Sequence, residues 1–165
     1  MFESIKAVAM DVDGVLTDGT FWWGAGGEEL KRFCFADVTG IPFAHAAGIR
    51  LALVSGDSSP AGMGLVQRFA DKVKITDVYK ACHDKAGAVR DFAARYQMSL
   101  SEVCFIGDDV QDLQAMEIVG LAVAPADAQP AARAKAKFVA SRGGGHGAVR
   151  ETLDAILSAR KTQFR

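Results

Sequence analysis

The stretch that decides the fold is Ile5-Lys6-Ala7-Val8-Ala9-Met10-Asp11-Val12-Asp13-Gly14, an apolar run that ends in two carboxylates and a glycine. A short, nearly continuous apolar run of this kind is typical of a strand that is covered on both faces of a parallel sheet. Two carboxylates only two residues apart repel each other unless a cation or a proton lies between them. The stretch therefore predicts a buried strand whose end carries chemistry.

The same alternation continues along the chain. Further apolar runs of strand length are followed by longer amphipathic segments. The predicted strands are Ile5–Met10, Ile49–Val54, Lys74–Val78, Val103–Ile106 and Gly120–Val123, and the predicted helices are Thr39–Ala47, Ala61–Asp71, Asp84–Tyr96, Val110–Val119 and Ala148–Ala159. Repeated strand-helix-strand units predict an α/β fold, a doubly wound parallel sheet with helices on both faces.

One segment, residues 19–33, breaks the alternation. It holds Thr20-Phe21-Trp22-Trp23, a glycine-rich turn and the run Glu28–Phe33, which together predict a β-hairpin. Because ligands of open parallel sheets bind beyond the carboxyl ends of the strands, a hairpin that leaves this edge is expected to form a flap over the site. A two-stranded hairpin cannot bury both tryptophans alone, so we expect them to form a subunit interface.

A second acidic group follows the fourth predicted strand. There the chain reads Gly107-Asp108-Asp109, with Asp112 one turn later. If the two strands are neighbours, their acidic ends meet in one crevice and provide the oxygen ligands that a magnesium ion prefers. Zinc would require the His or Cys ligands that this pattern lacks.

Two more strand ends offer groups suited to an anion. Ser55-Gly56 supplies a hydroxyl and a glycine amide, and Lys85 supplies a fixed positive charge near the start of a helix opened by Asp84. Either feature alone is more typical of an ordinary structural position. Their occurrence at successive strand ends, together with the two acidic groups, favours a phosphate-binding active site.

Length, composition and charge limit the remaining possibilities. The 165 residues are enough for a single domain, residues 1–165, and half of them are hydrophobic. The net charge of -1 gives no indication of a nucleic-acid or membrane partner, and no apolar run approaches the ~20 residues of a bilayer span. Three cysteines without a CxxC spacing favour reduced thiols, so we expect a cytoplasmic protein.

Taken together, Asp11-x-Asp13-Gly14, Ser55-Gly56, Lys85 and Gly107-Asp108-Asp109-x-x-Asp112 resemble the four motifs of the haloacid dehalogenase-like phosphatases. The chain is most similar to the small members that lack a cap domain and act on 2-keto-3-deoxy sugar acid phosphates. This resemblance implies a Rossmann-like fold and a homotetramer in which a neighbouring subunit completes the site.

The resemblance also implies a role for each motif residue. Asp11 would be the nucleophile and Asp13 the general acid and base. Mg²⁺ would be held by the Asp11 carboxylate, the Asp13 backbone carbonyl and Asp108. By the same resemblance, Asp109 and Asp112 would support the metal through waters or as orienting groups, and Ser55, Gly56 and Lys85 would stabilise the phosphoryl oxygens.

The identity of the sugar acid rests on a few other positions. Members that act on 3-deoxy-manno-octulosonate 8-phosphate typically read R-D-G and T-G-R where this chain has Ala36-Asp37-Val38 and Ser55-Gly56-Asp57. An acid-base pair, Asp57 and Arg68, resembles the enzymes for 2-keto-3-deoxynononate 9-phosphate, and we favour the nine-carbon acid. Arg142 and His146, in a glycine-rich segment that we expect to be flexible, are further candidates for binding the substrate.

Other function classes stay open at this level. Similar domains that are fused to sugar-nucleotide synthetases have lost motif residues and serve in assembly, which makes a catalytically silent module the alternative. Phosphorylated signalling receivers share acidic strand ends but lack the D-x-D pair, and phosphomutases usually need a cap domain for which 165 residues leave no room.

Overall fold

Six short strands form one parallel sheet, which contains all five predicted strands. The computed structural model describes residues 1–160. In chain order its elements are β1 (Ala7–Met10), β2 (Trp22–Trp23), β3 (Glu29–Leu30), α1 (Phe35–Ala46), β4 (Arg50–Val54), α2 (Pro60–Val73), β5 (Asp77–Tyr79), α3 (Lys85–Arg95), β6 (Val103–Ile106), α4 (Leu113–Ile118), β7 (Leu121–Ala124), α5 (Pro130–Lys135), β8 (Phe138–Val139) and α6 (Ala148–Ala159). Two 3₁₀ turns, Leu100–Glu102 and Val110–Asp112, precede β6 and α4.

The strand order is β5-β4-β1-β6-β7-β8, and β1 therefore lies between β4 and β6. Every residue of β1 is fully buried, because the sheet is covered on both sides. Val8 and Met10 pack into the core formed with α1, α2 and α6, whereas Ala7 and Ala9 pack into the core formed with α3, α4 and α5. The predicted doubly wound α/β fold is confirmed.

The register of the sheet brings the functional strand ends together. Met10 is aligned with Leu53 of β4 and with Ile106 of β6. The Asp11 amide continues the ladder by donating a hydrogen bond of 3.0 Å to the Ile106 carbonyl. The loops that follow β1, β4 and β6 consequently begin side by side at one edge of the sheet.

Residues 19–33 form the predicted hairpin, with strands of only two residues each. Trp22 pairs with Leu30 and Trp23 pairs with Glu29. At the base of the hairpin, Phe33 stacks on Phe69 of α2 with ring centroids 4.5 Å apart. In the part of the chain that the structure describes, no cap domain is inserted between the strands of the sheet.

Several elements differ from the predictions. Helix α1 begins at Phe35 instead of Thr39 and includes Pro42, and the predicted helix from Val110 starts as a 3₁₀ turn. Helix α5 and strand β8 were not predicted; both are short, and β8 lies at the edge of the sheet. Residues 161–165 of the predicted domain lie outside the described residues. Over residues 1–160, the structure contains no helix long and apolar enough for a membrane span.

Candidate active site

Three carboxylates converge at the carboxyl ends of β1 and β6. Asp11 directly follows β1, and Asp108 and Asp112 lie in the loop and turn that follow β6. One oxygen from each of these residues lies within 4.8 Å of the others. The predicted meeting of the two acidic strand ends is therefore observed, and it involves Asp112 directly.

Lys85, the first residue of α3, lies between two of these carboxylates. Its Nζ is 2.5 Å from Asp11 Oδ2 and 2.7 Å from Asp112 Oδ1. The start of the helix is held by Asp84, whose side chain accepts a hydrogen bond of 2.7 Å from the Gly87 amide. Lys85 and Asp112 are both buried, which leaves little water to screen this network.

Asp112 is held from both sides. Its Oδ2 accepts hydrogen bonds from the backbone amides of Asp108, at 2.8 Å, and Asp109, at 3.2 Å. The Asp109 carboxylate contacts the Val110 amide at 2.6 Å within the same 3₁₀ turn. Asp112 thus fixes the loop that carries Asp108, whereas Asp109 caps its own turn and borders the cavity described below.

Burial and mutual repulsion disfavour three negative charges at this place. Burial, reinforced by the charge of Asp112, raises the pKa of Asp11 to about 8 although Lys85 opposes the shift. Burial and the charges of Asp112 and Asp109 raise the pKa of Asp108 to about 7. For Lys85, burial alone would lower the pKa, but the negative charges of Asp11 and Asp112 raise it. Three carboxyl groups share the single ammonium of Lys85, so a bound cation would favour their ionised forms.

The donor set and the available space both suit a hard cation. All candidate ligands are oxygens, as Mg²⁺ prefers. A side chain on Gly14 would not fit here, because its Cβ would lie 2.1 Å from Asp108 Oδ2. Gly14 also has a φ of +81°, a conformation that other residues rarely adopt. The glycine of the first motif is therefore required by the close approach of the two acidic loops.

A polar cavity of about 560 Å³ opens above the carboxylates. The hairpin contributes to its wall, as predicted for a flap. The cavity is lined by Asp11, Asp13, Gly14, Gly19, Phe21, Glu29, Lys31, Gly56, Asp57, Ser59, Lys85, Asp108, Asp109 and Gln111. Most of the residues predicted from the motifs thus share one cavity.

In the Ser55-Gly56 motif, the glycine backbone contributes to the cavity more directly than the serine hydroxyl. Gly56 lines the cavity, whereas Ser55 is fully buried and is not among the lining residues. The Ser55 Oγ accepts a hydrogen bond of 3.3 Å from the Asp57 amide. In this structure the serine shapes the loop that presents Gly56.

Lys31, which follows β3 in the hairpin, lines the cavity although the sequence did not indicate it as a site residue. Its Nζ lies 2.9 Å from Asp13 Oδ1 and 2.8 Å from Asp57 Oδ2. The Lys31 side chain is only 5% exposed. No local sequence pattern distinguishes a lysine that follows a hairpin strand from an ordinary surface lysine. Only the folded structure places Lys31 opposite the loops of Asp13 and Asp57.

Of Asp57 and Arg68, the pair predicted to bind the sugar acid, Asp57 lines the main cavity and Arg68 is not among its lining residues. Asp57 pairs with Lys31 and accepts a hydrogen bond of 2.9 Å from the Ser59 amide. Burial opposes the effect, but these contacts lower the pKa of Asp57. Arg68 is exposed on α2, about 12 Å along the helix axis from Pro60, at 1.5 Å per residue. It makes no ion pair with Asp57 in the described residues.

The glycine-rich segment before α6, expected to be flexible, packs against the loop after β1. The Gly145 amide donates a hydrogen bond of 3.0 Å to the Val15 carbonyl. A Cβ on Gly144 would lie 1.9 Å from the Gly14 carbonyl oxygen. The segment therefore supports the loop after β1, and both of these glycines are buried.

Arg142 and His146 do not line the main cavity. They border a separate surface cavity of about 470 Å³, together with Ala36 and Arg150. The Nδ1 of His146 lies 2.7 Å from the Gly144 carbonyl and its Nε2 lies 2.9 Å from Nη2 of Arg32. A carbonyl can only accept, so Nδ1 donates to it and Nε2 accepts from Arg32. His146 thereby connects the glycine-rich segment to the hairpin.

Comparison with known families shows where this architecture recurs. Residues 63–150 match a family described as haloacid dehalogenase-like hydrolase. The 3-deoxy-D-manno-octulosonate 8-phosphate phosphatase KdsC of Escherichia coli strain K12 is 38% identical over 157 residues, which cover 95% of this chain and 81% of the relative.

Solved structures agree with this match. The 3-deoxy-D-manno-octulosonate 8-phosphate phosphatase from Yersinia pestis superposes with a TM-score of 0.92 at 38% identity, covering 98% of this chain and 85% of that one. The corresponding phosphatase from Moraxella catarrhalis was crystallised with a magnesium ion, a phosphate ion and a KDO molecule. It superposes with a TM-score of 0.91 at 33% identity, covering 97% of this chain and 90% of that one.

Proposed function

The chain belongs to the haloacid dehalogenase-like hydrolases, and we propose that it is a magnesium-dependent phosphatase that hydrolyses the phosphomonoester of a 2-keto-3-deoxy sugar acid. The observation that carries this proposal is the convergence of Asp11, Asp108 and Asp112 around Lys85 below a polar cavity. The relatives that match nearly the whole chain are named as phosphatases of such a sugar acid, which supports the substrate class.

In this proposal Mg²⁺ is held by the carboxylates of Asp11 and Asp108 and by the Asp13 backbone carbonyl. Asp112 and Asp109 support the metal indirectly, since Asp112 binds the amides of the loop that carries Asp108. Bound there, the metal would offset the excess negative charge and let an anionic nucleophile approach an anionic phosphate.

Asp11 acts as the nucleophile. An oxygen of its carboxylate attacks phosphorus, the bond from phosphorus to the sugar oxygen breaks, and an aspartyl phosphate forms. Asp13 donates a proton to the departing sugar oxygen. It then takes a proton from the water that attacks phosphorus, so that inorganic phosphate leaves and both aspartates are regenerated. Asp11 and Asp13 line the same cavity, which supports this division of roles.

Lys85 and Gly56 provide positive charge and a backbone donor for the phosphoryl oxygens, and Ser55 completes this phosphate site. Lys85 is buried, so its charge is little screened and acts strongly on an anion beside Asp11. The Ser55 hydroxyl is buried and accepts a hydrogen bond from the Asp57 amide, so Ser55 supports the phosphate site by shaping the loop that presents Gly56.

The choice between an eight-carbon and a nine-carbon acid turns on few residues. The names of the relatives favour the eight-carbon acid. The positions of Asp57 and Arg68 give the nine-carbon acid little support, because Asp57 pairs with Lys31 and Arg68 does not line the cavity. Ala36, which stands where the eight-carbon enzymes typically have arginine, borders the cavity of Arg142 and His146. We propose that this cavity, and not the Asp57–Arg68 pair, contributes the residues that select the sugar.

We further propose that the chain assembles into a homotetramer through the hairpin, with a neighbouring subunit completing the site. The exposed large hydrophobic side chains include a cluster on and beside the hairpin, consisting of Phe21, Trp22, Trp23, Leu30 and Phe35. Trp23 and Phe35 are each 73% exposed. Contiguous apolar groups of this kind mark interaction surfaces.

We also propose that the protein is cytoplasmic and acts as a single domain. Cys34, Cys82 and Cys104 are all free thiols, which supports a reducing compartment.

The direct test is a kinetic panel. The purified protein is assayed with eight- and nine-carbon 2-keto-3-deoxy acid phosphates, hexose phosphates and a generic aryl phosphate, with Mg²⁺ and with EDTA. We expect magnesium-dependent release of phosphate and a kcat/KM at least tenfold higher for one keto-deoxy acid phosphate than for the hexose phosphates. Equal values for all esters would indicate a general phosphatase, and no release from any ester would favour the catalytically silent assembly module.

A further inference from the structure

The least exposed charged group that the hairpin brings to the cavity is the ammonium of Lys31. Three carboxylates face it. Asp13 and Asp57 lie within 3 Å of Nζ, and Glu29 of the same hairpin lies 3.6 Å away. The ammonium is therefore enclosed by carboxylates of the hairpin and of the loops after β1 and β4.

This contact differs from an ordinary surface ion pair. A buried ammonium without a partner is strongly destabilising, so the hairpin can lie over the cavity only when carboxylates receive Lys31. Asp57 belongs to the loop after β4 and Asp13 to the loop after β1. One side chain thus ties the hairpin to both loops.

The contact matters most for Asp13. Within residues 1–160, Lys31 is the only hydrogen-bonding partner of the Asp13 carboxylate, which is 38% exposed. Asp11, in contrast, is held by the Val12 amide at 2.7 Å and by Lys85. The orientation of the proposed general acid therefore depends on a residue of the flap.

We propose that Lys31 is a positioning residue of the phosphatase, one that holds the Asp13 carboxyl group where, once protonated, it can donate its proton to the leaving oxygen. This role rests on the proposed function of Asp13. It explains why a capless enzyme keeps a hairpin of two-residue strands at this edge, since the flap supplies the partner that orients the acid.

The dependence of the rate on the leaving group tests this role. Proton donation matters more as the leaving oxygen becomes more basic, and a general acid contributes about 10²–10⁴-fold. We therefore compare kcat/KM for wild-type protein, Lys31→Met and Asp13→Asn across substituted phenyl phosphates. For Lys31→Met we expect a loss of roughly 10²-fold with phenyl phosphate and less than about tenfold with p-nitrophenyl phosphate. Asp13→Asn should likewise lower kcat/KM more for phenyl phosphate than for p-nitrophenyl phosphate.

Matched variants separate positioning from other roles. Lys31→Arg keeps the charge and should recover part of the activity on phenyl phosphate, and it provides the same comparison if Lys31→Met does not fold. Lys72→Met, on the exposed surface of α2, should behave as wild type.

Three results would overturn the positioning role. The first is an equal loss of kcat/KM by Lys31→Met with every phenyl phosphate, as expected for general support of the fold. The second is an unchanged rate. The third is a defect confined to KM for the sugar acid phosphate, as expected for a direct contact with that substrate. Wild-type protein inactive on every ester would instead remove the proposed function itself, and the role of Lys31 with it.

Discussion

Among single residues, Asp108 shows most directly that the acidic cluster is built for a cation and not for stability. Burial of its carboxylate, reinforced by the negative charges of Asp112 and Asp109, raises its pKa to about 7. Keeping it ionised at neutral pH therefore costs folding free energy until a positive ion binds nearby. A neutral side chain of the same shape would remove this cost.

The variant Asp108→Asn should separate stability from metal binding. In EDTA at neutral pH we expect its midpoint of thermal unfolding to rise by about 2–4 °C, the effect of ~1 kcal/mol in a chain of this size. Mg²⁺ should stabilise the wild-type protein by mass action and should stabilise the variant little. Asp71→Asn, on the surface of α2, is the control and should retain the full magnesium response. A variant that Mg²⁺ stabilises as strongly as wild type would contradict the assignment of Asp108 as a ligand.

Among the elements, the glycine-rich segment before α6 supports the catalytic loop by close packing of backbone on backbone. Gly144 allows an approach to the Gly14 carbonyl that no side chain would permit. In the middle of α2, by contrast, a Cβ on Gly64 would meet nothing within 4 Å. The two positions make a matched pair of substitutions.

Gly144→Ala is expected to destabilise the protein by about 1–3 kcal/mol, as overpacking typically does, and to lower kcat by moving the loop that carries Asp11 and Asp13. Gly64→Ala should stabilise the protein by about 0.5–1 kcal/mol and leave kcat unchanged. Urea unfolding and steady-state kinetics measure both effects. If Gly144→Ala were as stable and active as Gly64→Ala, the segment would have no supporting role.

Some elements of the fold could be predicted from the sequence and others could not. The strands after which Asp11, Ser55 and Asp108 lie were predictable, because fully buried parallel strands are continuous apolar runs that end abruptly in polar residues. The α5–β8 unit was not predictable, since a six-residue helix and a two-residue edge strand are too short to show a period.

The site residues likewise divide into those that could be predicted from the sequence and those that could not. The groups that lie next to strand ends could be brought together from topology alone. Lys31 and the contact between Arg32 and His146 could not, because they depend on how the hairpin folds back over the sheet. For the same reason the sequence did not indicate that Asp57 pairs with Lys31 of the hairpin, or that Arg68 does not line the cavity.

For the whole molecule, the exposed aromatic surface of the hairpin predicts assembly. Trp22→Ser combined with Trp23→Ser should lower the molar mass measured by light scattering after size-exclusion chromatography from a tetramer to smaller species. Activity should fall with it if the neighbouring subunit completes the site. Val139→Ser, an exposed apolar position on β8 that is 41% exposed, is the control and should remain tetrameric. A wild-type protein that is monomeric at assay concentrations would exclude this assembly.

The central claim is that Asp11 becomes phosphorylated beside the acidic cluster, and trapping the intermediate tests it most directly. Wild-type protein is mixed with Mg²⁺ and an aryl phosphate, quenched in acid, reduced with borohydride and digested for mass spectrometry. We predict that the reduced acyl group is found at residue 11 and that Asp11→Asn, folded by circular dichroism, shows neither the label nor turnover. A label at another aspartate, or phosphatase activity that survives in Asp11→Asn, would contradict the account.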